Sequence, residues 1–594
     1  MKIKIFLVLT AFLAAFNLYS QENVWYTTVL KENFVDKNGN PLTGKGVVVG
    51  DVDSGVDVFS PFFFFADGGE YGWIDVDKDG KFKPGIDAVD FNGDGVSREG
   101  SILRYIEMKN NTYNILKTDK ENFNPDMDFL YADANGNGKR DFGENDGFTE
   151  SDPTYGEQFF IAIDADKNGT LDAGEKIIAL KTSKVRAVRE KSGTIRRRGI
   201  DLIKTEPDTI RHGTSVSGII LGGHAGVQKM HGFAPDAELV MANIDYAYTP
   251  RFVRTFPALL KFLRDEKVNI LLFEDGEWMW EYMDGSTEEE LLTNEIARSG
   301  ITVIGGGGNL ASGNMIIRDK LKKDQLATYK FSSPSTGEGK KNDASFVSLL
   351  WKGKDKKPVI QVRTPDGFLS PELKDGSGFI RVGNYNVYYA REVSPRNTVM
   401  FKFQFSEKDS NTVKGDWQIR VHAKSELDLW GFIVDITQSW GGTTKWEDKD
   451  KITPEGSVTF PCTADSCIAV GAYTVNFSWG PEDKLGGLCN YSGRGLNISG
   501  KRGIDISAPG HSTFTCSTNN SYTLFSGTSS AAPHVVGTVA LLLQYNPSLT
   551  HSQIRNILMK TSVQDEFTGP VPNTNWGAGK LNPEGAIKYV IENF

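Results

Sequence analysis

The chain has 594 residues, enough for about three domains of ordinary size. Hydrophobic residues make up 39% and charged residues 24% of it, which is typical of folded globular proteins and argues against a disordered chain. The formal net charge is −10, and no basic run offsets the acidic surplus, so a nucleic-acid partner is not expected.

The first 20 residues have the layout of a secretory signal peptide. Two lysines precede an apolar run over residues 5–16, and cleavage is expected after Ser20. The run is too short to span a bilayer, no second apolar stretch of spanning length follows, and no cysteine stands behind it to carry a lipid. We therefore expect an exported protein without a transmembrane segment after signal removal, located outside the cell, in the periplasm or at the cell surface.

Residues 45–52 predict a short buried strand, and the stretch Asp-Val-Asp-Ser-Gly over residues 51–55 marks its end. A carboxylate that follows a central strand and precedes a glycine is well placed for a functional role. Asp51 and Asp53 are the two candidates at this position.

An acidic segment over residues 62–200 contains two loops of the calcium-binding type. Calcium prefers about six to eight hard oxygen ligands, a bidentate glutamate that closes the shell, and a glycine that permits a sharp turn. Both loops place oxygen-bearing side chains at the first, third, fifth, ninth and twelfth positions and a glycine at the sixth. The expected metal ligands are Asp133, Asn135, Asn137, Asp141 and Glu144 in one loop, and Asp164, Asp166, Asn168, Asp172 and Glu175 in the other.

The second of these loops is the better match, because Arg140 stands where the first loop should be apolar. Segments that begin at Asp75 and at Asp90 start in the same way, but Ile86 and Ser101 fill their twelfth positions and make them weak candidates. A solvated acidic loop without metal is the alternative in every case. Bound Ca²⁺ would have a structural role, since it would relieve the repulsion among the carboxylates of the segment.

Strands and helices alternate over residues 202–309. Residues 212–218 predict the entrance of a small-residue helix with His212 at its start, and Thr287 with Glu290 forms a capping box for a helix that ends at Gly300. Strands are predicted over residues 239–244, 268–273 and 301–304. This alternation predicts a parallel sheet covered on both faces, with ligands bound beyond the carboxyl ends of its strands.

Two glycine-containing stretches stand at the ends of predicted elements. Four glycines and Asn309 follow the strand over residues 301–304, and Gly306 and Gly307 give a backbone that a substrate can approach closely. Residues 527–534, Gly-Thr-Ser-Ser-Ala-Ala-Pro-His, predict a tight turn into a buried helix. Ser529 would lie where the backbone N–H groups and the helix dipole favour an anion, although a plain N-cap serine is the alternative.

Residues 319–455 change to a period-two pattern with turns in between. Examples are Phe401, Phe403 and Phe405, and the alternating apolar residues over 417–423. Such a pattern predicts an antiparallel β-sandwich. From residue 456 onward the pattern of the parallel sheet resumes, beginning with a strand over residues 468–471.

The ordered set of Asp53, His212, Asn309 and Ser529, each in its motif, resembles the subtilase family of subtilisin-like serine proteases. Supporting matches are residues 232–237, 507–510 and 576–579, and the resemblance covers about half of the chain in three blocks. It implies a subtilisin-like three-layer α/β fold with a central parallel sheet, plus a jelly-roll-like insertion for the β-sandwich. The sandwich would dock substrate or shield the cleft, and the sequence does not decide between the two.

The resemblance also implies the roles of the four residues. Ser529 would be the nucleophile, His212 the general base, Asp53 the group that orients the imidazole, and Asn309 an oxyanion donor. Asp51 does not match the family's pattern. His534 lies within the serine motif but is expected to pack in its helix.

Glu274, Asp275 and Gly276 occupy the family's substrate-binding strand, where serine and an apolar residue usually precede the glycine. Carboxylates that face the cleft would favour basic substrate side chains near the scissile bond, whereas carboxylates that face solvent would not affect specificity. The aromatic residues at 278, 280 and 282 would form either a wall of the cleft or part of the core.

All four cysteines lie in the last third of the chain: Cys462, Cys467, Cys489 and Cys516. Export and an even count indicate disulfides, and spacing favours pairing Cys462 with Cys467, with Cys489 and Cys516 as a second candidate pair. Three connectivities are possible, and buried free thiols are the alternative.

The predicted division of the chain is a signal peptide (1–20), three catalytic blocks (21–61, 201–318 and 456–594), the calcium-binding insertion (62–200) and the β insertion (319–455). The function expected is that of a secreted serine endopeptidase acting on protein or peptide substrates. The alternative is a catalytically degenerate subtilase-like binding protein.

Overall fold

The computed structural model describes residues 33–112, 122–228, 231–244, 252–274, 276, 278–337, 339–408, 412–436, 444–476 and 483–594. The predicted signal peptide and Asp275 lie outside these residues. Within them no helix combines the length and the apolar content needed to cross a bilayer.

Six α-helices are described in chain order. They are α1 (His212–Leu221), α2 (Phe252–Asp265), α3 (Glu288–Arg298), α4 (Thr528–Tyr545), α5 (His551–Thr561) and α6 (Pro583–Asn593). Short 3₁₀ turns occur at Pro61–Phe63, Glu144–Asp146, Pro153–Tyr155 and Leu202–Lys204.

Strands outnumber helices in the described residues. They are β1 (Val48–Asp53), β2 (Glu70–Ile74), β3 (Ala88–Asp90), β4 (Leu103–Ile106), β5 (Lys109–Asn111), β6 (Phe129–Ala132), β7 (Phe159–Ile163), β8 (Lys176–Ala179), β9 (Val185–Arg189), β10 (Ile195–Arg197), β11 (Glu238–Asn243), β12 (Ile270–Phe273), β13 (Thr302–Gly306), β14 (Ile316–Leu321), β15 (Leu326–Ser333), β16 (Thr336–Gly337), β17 (Lys340–Lys341), β18 (Ala344–Lys352), β19 (Val359–Arg363), β20 (Ser377–Val382), β21 (Tyr385–Val393), β22 (Thr398–Glu407), β23 (Gly415–His422), β24 (Leu427–Asp435), β25 (Lys445–Trp446), β26 (Ile468–Thr474), β27 (Ile506–His511), β28 (Thr513–Ser517) and β29 (Ser521–Phe525).

An eight-stranded sheet carries the α/β part of the fold, in the order β10-β9-β11-β1-β12-β13-β26-β27. Its strands run parallel except β10, which pairs antiparallel with β9. Successive residues of β1 enter different apolar clusters, with Val49 on one face and Val48 and Val52 on the other. The sheet is therefore buried on both faces, as the alternation of strands and helices predicted, and it is mixed at one edge.

Helices α1 and α4 pack together on the Val49 face of this sheet. The capping box predicted for the helix over residues 288–298 is confirmed, since the Thr287 hydroxyl accepts from the Glu290 N–H and the Glu290 carboxylate accepts from the Thr287 N–H at 2.8 Å. The predicted ends of the main strands and helices differ from the observed ones by a few residues, because end residues share the apolar pattern of the element.

Two antiparallel sheets occupy the region of the predicted period-two pattern. One has the order β14-β24-β18-β22-β21-β20 and the other β19-β23-β15-β25. Apolar residues of both enter one buried cluster, in which the Trp417 ring lies between Phe331 and Phe405 at centroid distances of 5.8 and 4.8 Å. Residues 417, 419 and 421 of β23 are buried while their neighbours are more exposed, as the alternation predicted.

The acidic segment also forms an antiparallel sheet, in the order β3-β2-β8-β7-β6-β4. It has an apolar cluster of its own, which includes Leu171 of the second predicted calcium loop. Strand β5 leaves this segment and pairs parallel with β29, in the hairpin that precedes α4.

Asp284, in the loop before α3, links the α/β part to the antiparallel sheets. Its side chain is fully buried and accepts hydrogen bonds from the Ser394 hydroxyl at 2.7 Å and from the Thr398 hydroxyl of β22. Lys352 of β18 lies 3.4 Å away as its ionic partner. A buried carboxylate is tolerated because each oxygen is satisfied.

We expect Asp284→Ala to lower the free energy of unfolding by about 3 kcal/mol, because it leaves buried hydroxyls and Lys352 without their acceptor. Guanidinium unfolding monitored by tryptophan fluorescence measures this loss. Asp428→Ala is the matched control, since the Asp428–Arg318 pair is over 40% exposed on both sides and its loss should cost less than about 1 kcal/mol. Equal losses in the two variants would contradict this role of Asp284.

Candidate active site

Asp53 is the last residue of β1, which lies between β11 and β12 in the central sheet. Its side chain is fully buried, and Nδ1 of His212 lies 2.9 Å from both carboxylate oxygens. The Ser54 N–H also donates to the carboxylate. A carboxylate held in this way fixes the orientation of the imidazole and stabilises its charged form.

His212 is the first residue of α1, and the carboxylate of Asp208 holds that end of the helix. This side chain accepts from the Arg211 N–H at 2.9 Å, and from the Thr214 N–H at 3.1 Å and hydroxyl at 2.7 Å. It also accepts from the Ser54 hydroxyl at 3.0 Å. Sequence reasoning missed Asp208, although an acid shortly before a helix start is a recognisable capping signal.

Gly213 permits the close approach of α1 to the end of β1. A Cβ at this position would lie 2.2 Å from the Gly55 carbonyl oxygen and 3.1 Å from Cγ of Asp53. Any side chain would therefore push His212 away from Asp53.

Ser529 lies in the first turn of α4 and is 6% exposed. Gly527 precedes the helix with φ +132°, a backbone conformation that favours glycine. The helix is buried from Thr528 to Leu543, as its apolar sequence predicted. His534 is fully buried and its Nδ1 contacts the Ser530 carbonyl at 2.7 Å, so it packs in the helix as expected.

The Asn309 side chain is oriented by the residue that precedes Ser529. Its Oδ1 accepts from the Thr528 N–H at 2.8 Å and from the Thr528 hydroxyl at 3.1 Å, which directs the Nδ2 hydrogens away from Thr528. A Cβ at Gly306 would lie 2.8 Å from Thr528 Oγ1, and one at Gly307 would lie 2.4 Å from Ile504. These glycines thus permit the close packing that joins Asn309 to the start of α4.

Glu274 directly follows β12 and is 7% exposed. Its carboxyl group makes no hydrogen bond of good geometry. The pKa of this group is affected by the charges of His212 and Asp53 and by the Ser529 hydroxyl. Burial is the largest influence and raises the pKa of Glu274 to about 8. Gly276 is exposed, and a Cβ there would lie 2.9 Å from Thr459 Oγ1.

The imidazole of His212 is drawn toward its charged form. Burial by itself would lower its pKa, but the charge and hydrogen bond of Asp53 outweigh burial and raise the pKa to about 9. Asp51 is fully buried with no hydrogen-bond partner on either oxygen, and burial raises its pKa well above the usual range. Of the two candidate acids, Asp53 is the one brought to His212.

The three predicted aromatic residues after Gly276 belong to the apolar core shared with the antiparallel sheets. Trp278 is fully buried against Phe432 at a centroid distance of 5.4 Å, and Trp280 and Tyr282 pack against the same cluster.

The second predicted calcium loop gathers its acids around one point. Carboxylate oxygens of Asp164, Asp166 and Glu175 all lie within 4.8 Å of one another. Glu175 also accepts from the N–H groups of the second and ninth loop residues, Ala165 at 2.6 Å and Asp172 at 2.8 Å. The side chains of Asn168 and Asp172 are joined by a 2.5 Å hydrogen bond within the same loop.

In the first predicted loop, the carboxylate that joins the second and ninth residues belongs to a residue outside the twelve-residue loop. Glu157 accepts from the N–H groups of Ala134 at 2.6 Å and Asp141 at 3.0 Å, the second and ninth loop residues. Glu157 thus holds the position that Glu175 holds in the other loop. The structure places Glu144 instead in a 3₁₀ turn, 3.3 Å from Lys204.

The remaining oxygen-bearing residues of the first loop stay together. Both Asn135 and Asn137 donate to Asp141, at 2.6 and 2.8 Å. Asp133 is paired with Arg104 at 2.6 Å.

The loop that begins at Asp75 has the same hydrogen-bond pattern, but its carboxylate comes from the residue after the twelfth position. Asp87 accepts from Val76, the second residue, at 2.9 Å and from Lys83, the ninth, at 2.5 Å. Carboxylate oxygens of Asp75, Asp77 and Asp87 lie within 4.8 Å of one another. Sequence reasoning missed Asp87 because it tested only the twelfth position.

The expected disulfides are wrong for this structure. All four cysteines are free thiols and buried. Cys462 and Cys467 do lie together, since a Cβ at Gly305 would be 3.2 and 3.3 Å from their two sulfurs. Burial raises the pKa of Cys516 and of Cys489, so these thiols stay protonated and are inert.

Comparison with known proteins identifies relatives of part of the chain. The family model described as "Subtilase family" matches residues 439–579, a segment that contains Ser529 but neither Asp53 nor His212. The chain is 35% identical over 133 residues to alkaline elastase YaB of a Bacillus species, and 32% identical over 136 residues to subtilisin DY of Bacillus licheniformis. These segments cover 22% and 23% of this chain and only 30% and 42% of the two relatives.

A solved structure extends the likeness in fold to nearly the whole chain. The CspB protease of Clostridium perfringens matches with a TM-score of 0.62 and 16% identity, over 93% of this chain and 96% of that one. At this identity the match concerns the fold alone.

Proposed function

Because the chain belongs to the subtilase family of serine proteases, we propose that it is a serine endopeptidase that uses Asp53, His212 and Ser529 as its catalytic triad. The observation that carries this proposal is the 2.9 Å contact of His212 Nδ1 with both oxygens of Asp53. Support for including Ser529 in the same site is that both its hydroxyl and the imidazole of His212 affect the pKa of Glu274.

The proposed reaction divides peptide hydrolysis into two steps. Ser529 Oγ attacks the carbonyl carbon of the scissile bond while its proton passes to His212 Nε2. The C–N bond then breaks, and His212 returns the proton to the leaving amine. Water attacks the resulting ester in the same way, which releases the carboxylic acid and restores Ser529.

Two donors suit the negative charge that forms on the carbonyl oxygen. They are Asn309 Nδ2, oriented through the contact of its oxygen with Thr528, and the backbone N–H of Ser529 at the positive end of α4. Removal of one such donor typically slows the reaction about 100- to 1,000-fold.

We expect a fluorophosphonate probe to modify the wild-type protein and not the Ser529→Ala variant, because only an activated serine displaces the fluoride. In-gel fluorescence and mass spectrometry of the modified peptide measure this. Ser530→Ala is the matched control, since Ser530 is the neighbouring serine in the same helix turn and should not be the site of modification. An unmodified wild type over the whole pH range from 6 to 10 would favour the alternative, a degenerate subtilase-like binding protein.

We further propose that Glu274 favours basic residues next to the scissile bond once it is charged. Asp275, the second acid of the predicted pair, lies outside the described residues. Because burial raises the pKa of Glu274 to about 8, its attraction for a cation is weak at pH 7 and grows as the pH rises through that value.

The preference is tested with two peptides that differ only by arginine or glutamine before the scissile bond. The ratio of their kcat/KM values should rise at least about threefold from pH 7 to pH 9.5, a modest gain for one nearby charge. A change in the ionisation of His212 alters kcat/KM for both peptides equally, so it does not affect their ratio. The rise should vanish in Glu274→Gln, and a ratio independent of pH in the wild type would remove Glu274 as a specificity residue.

The acidic insertion is proposed to bind structural Ca²⁺. The loop of Asp164, Asp166 and Glu175 fits best, since it brings three carboxylates together with amide oxygen ligands nearby. By the same hydrogen-bond pattern, Glu157 is proposed to close the loop of Asp133, and the cluster of Asp75, Asp77 and Asp87 is a third candidate.

We expect a calcium chelator to lower the Tm and to speed proteolytic loss of the insertion. A ligand at 100 times its Kd stabilises a protein by about 3 kcal/mol. Calcium titrations followed by differential scanning fluorimetry would compare Glu157→Gln with its matched control Glu144→Gln. The first should reduce the calcium-dependent gain in Tm and the second should not; a reversed order would show that Glu144 closes the loop, and an unchanged wild-type Tm would end the calcium proposal.

The organisation of the chain is proposed to follow the predicted division. The two sheets over residues 316–446 would form an inserted β-sandwich that docks substrate or shields the cleft, supported by their shared apolar core. Export is proposed from the signal-peptide pattern of residues 1–20. Protein or peptide substrates are the expected partners.

A further inference from the structure

Glu274 lies on the face of the central sheet that carries the proposed active site. Ile270 and Leu272 of β12 enter the apolar cluster shared with α1 and α4, and side chains alternate along a strand, so Glu274 continues the same row. Its backbone N–H donates to the Val52 carbonyl at 3.3 Å. The register Val52↔Phe273 then places Glu274 beside Asp53 on the neighbouring strand.

Two acids, one imidazole and one hydroxyl face this carboxyl group. They are Asp53 and Asp51 on β1, His212 at the start of α1 and Ser529 at the start of α4. Asp208 acts on His212 from the loop before α1.

The imidazole therefore lies beside a cluster of buried carboxyl groups, and burial opposes the ionisation of Glu274 and of Asp51. Asp53 makes two contacts with His212 and accepts from the Ser54 N–H. Glu274 is only 7% exposed, and the Ser529 hydroxyl contacts it without forming a hydrogen bond of good geometry, so little replaces the water that its carboxylate loses on burial.

We propose that Glu274 is a positioning residue that sets the ionisation of His212, holding the imidazole in its charged form whenever Glu274 itself is ionised. The proton on Glu274 then controls the general base. When Glu274 loses its proton, its negative charge stabilises the imidazolium and withholds the neutral form that accepts the Ser529 proton. Only at higher pH does His212 lose its proton as well.

The sign of the effect follows from the two pKa values. The pKa of Glu274 is about 8 and that of His212 is about 9, so the state with charged Glu274 and charged His212 is populated between them. Removal of the Glu274 charge should lower the pKa of His212 and move the rising limb of activity to lower pH. The effect should be greatest between pH 8 and pH 9, because at pH 7 Glu274 still holds its proton.

The inference rests on the proposed function. Two measurements distinguish a failure of the Glu274 role from a failure of the proposed protease function. The first is the pKa of His212 by NMR titration in a Ser529→Ala background, which requires no catalysis and is assigned by loss of the signal in His212→Ala. The second is the rate of fluorophosphonate modification of Ser529 between pH 6 and pH 10.

Glu274→Gln should lower the pKa of His212 by about one unit, with a rise of about twofold in modification rate between pH 8 and pH 9. The rate should change little at pH 7, where Glu274 already holds its proton, and little at pH 10, where His212 has lost its own. Glu274→Ser removes the same charge with a smaller side chain and should act in the same direction, should the glutamine variant fail to fold. Asp51→Asn is the matched control: Asp51 already keeps its proton, so this change should shift the pKa of His212 by less than about 0.3 units.

An unchanged pKa of His212 in both Glu274 variants would overturn the inference, whatever the activity. An equal shift in Asp51→Asn would overturn it too, because the effect would then belong to the whole acidic cluster. Absence of Ser529 modification at every pH would instead refute the proposed function, while the NMR titration would still decide the role of Glu274.

Discussion

The contact between Asp53 and His212 is the interaction on which the arrangement of the site depends. It joins the end of the central strand β1 to the start of α1 across 159 positions of sequence, at a distance of 2.9 Å. The geometry tolerates no side chain at Gly213, and the carboxylate of Asp208 fixes the start of α1. Since both partners are largely removed from water, their attraction is strong and their protonation states are linked.

The acidic surroundings of that contact follow from the topology of a parallel sheet. Strands β1 and β12 are neighbours and both end at the same edge, so the acids that follow or terminate them meet there. The imidazole of His212 then lies beside several carboxyl groups, and burial opposes the ionisation of Glu274 and Asp51. The pKa of His212 therefore depends on acidic neighbours that meet it at this edge of the sheet.

The acidic segment contacts the same region through backbone and side chains. Its strand β5 pairs with β29, and the Tyr522 hydroxyl of β29 donates to the Met127 carbonyl at 2.7 Å. Phe525, at the end of β29, places its ring 5.2 Å from the imidazole of His212. The hairpin before α4 therefore contacts the acidic segment on one side and His212 on the other.

The sequence by itself determined the elements and the motif residues, because both depend on local patterns. Apolar periodicity predicted β1, β12, α4 and the antiparallel strands, and the capping residues predicted the start of α3. The motifs and their order identified His212, Asn309 and Ser529, and favoured Asp53 rather than Asp51 as the acid. The structure brings His212 to Asp53, and it brings Asn309 to the residue before Ser529.

Tertiary structure alone decided which distant residues complete a local pattern and which charges face one another. Glu157 and not Glu144 makes the contacts that close the Asp133 loop, and the four cysteines are free thiols although two of them lie together. The sequence named Glu274 as a residue that could face the cleft, and strand register and burial place it beside Asp53. The physical reason is that ligand closure, disulfide geometry and ionisation depend on distance and desolvation in the folded chain, and these quantities have no counterpart in the spacing of residues along the sequence.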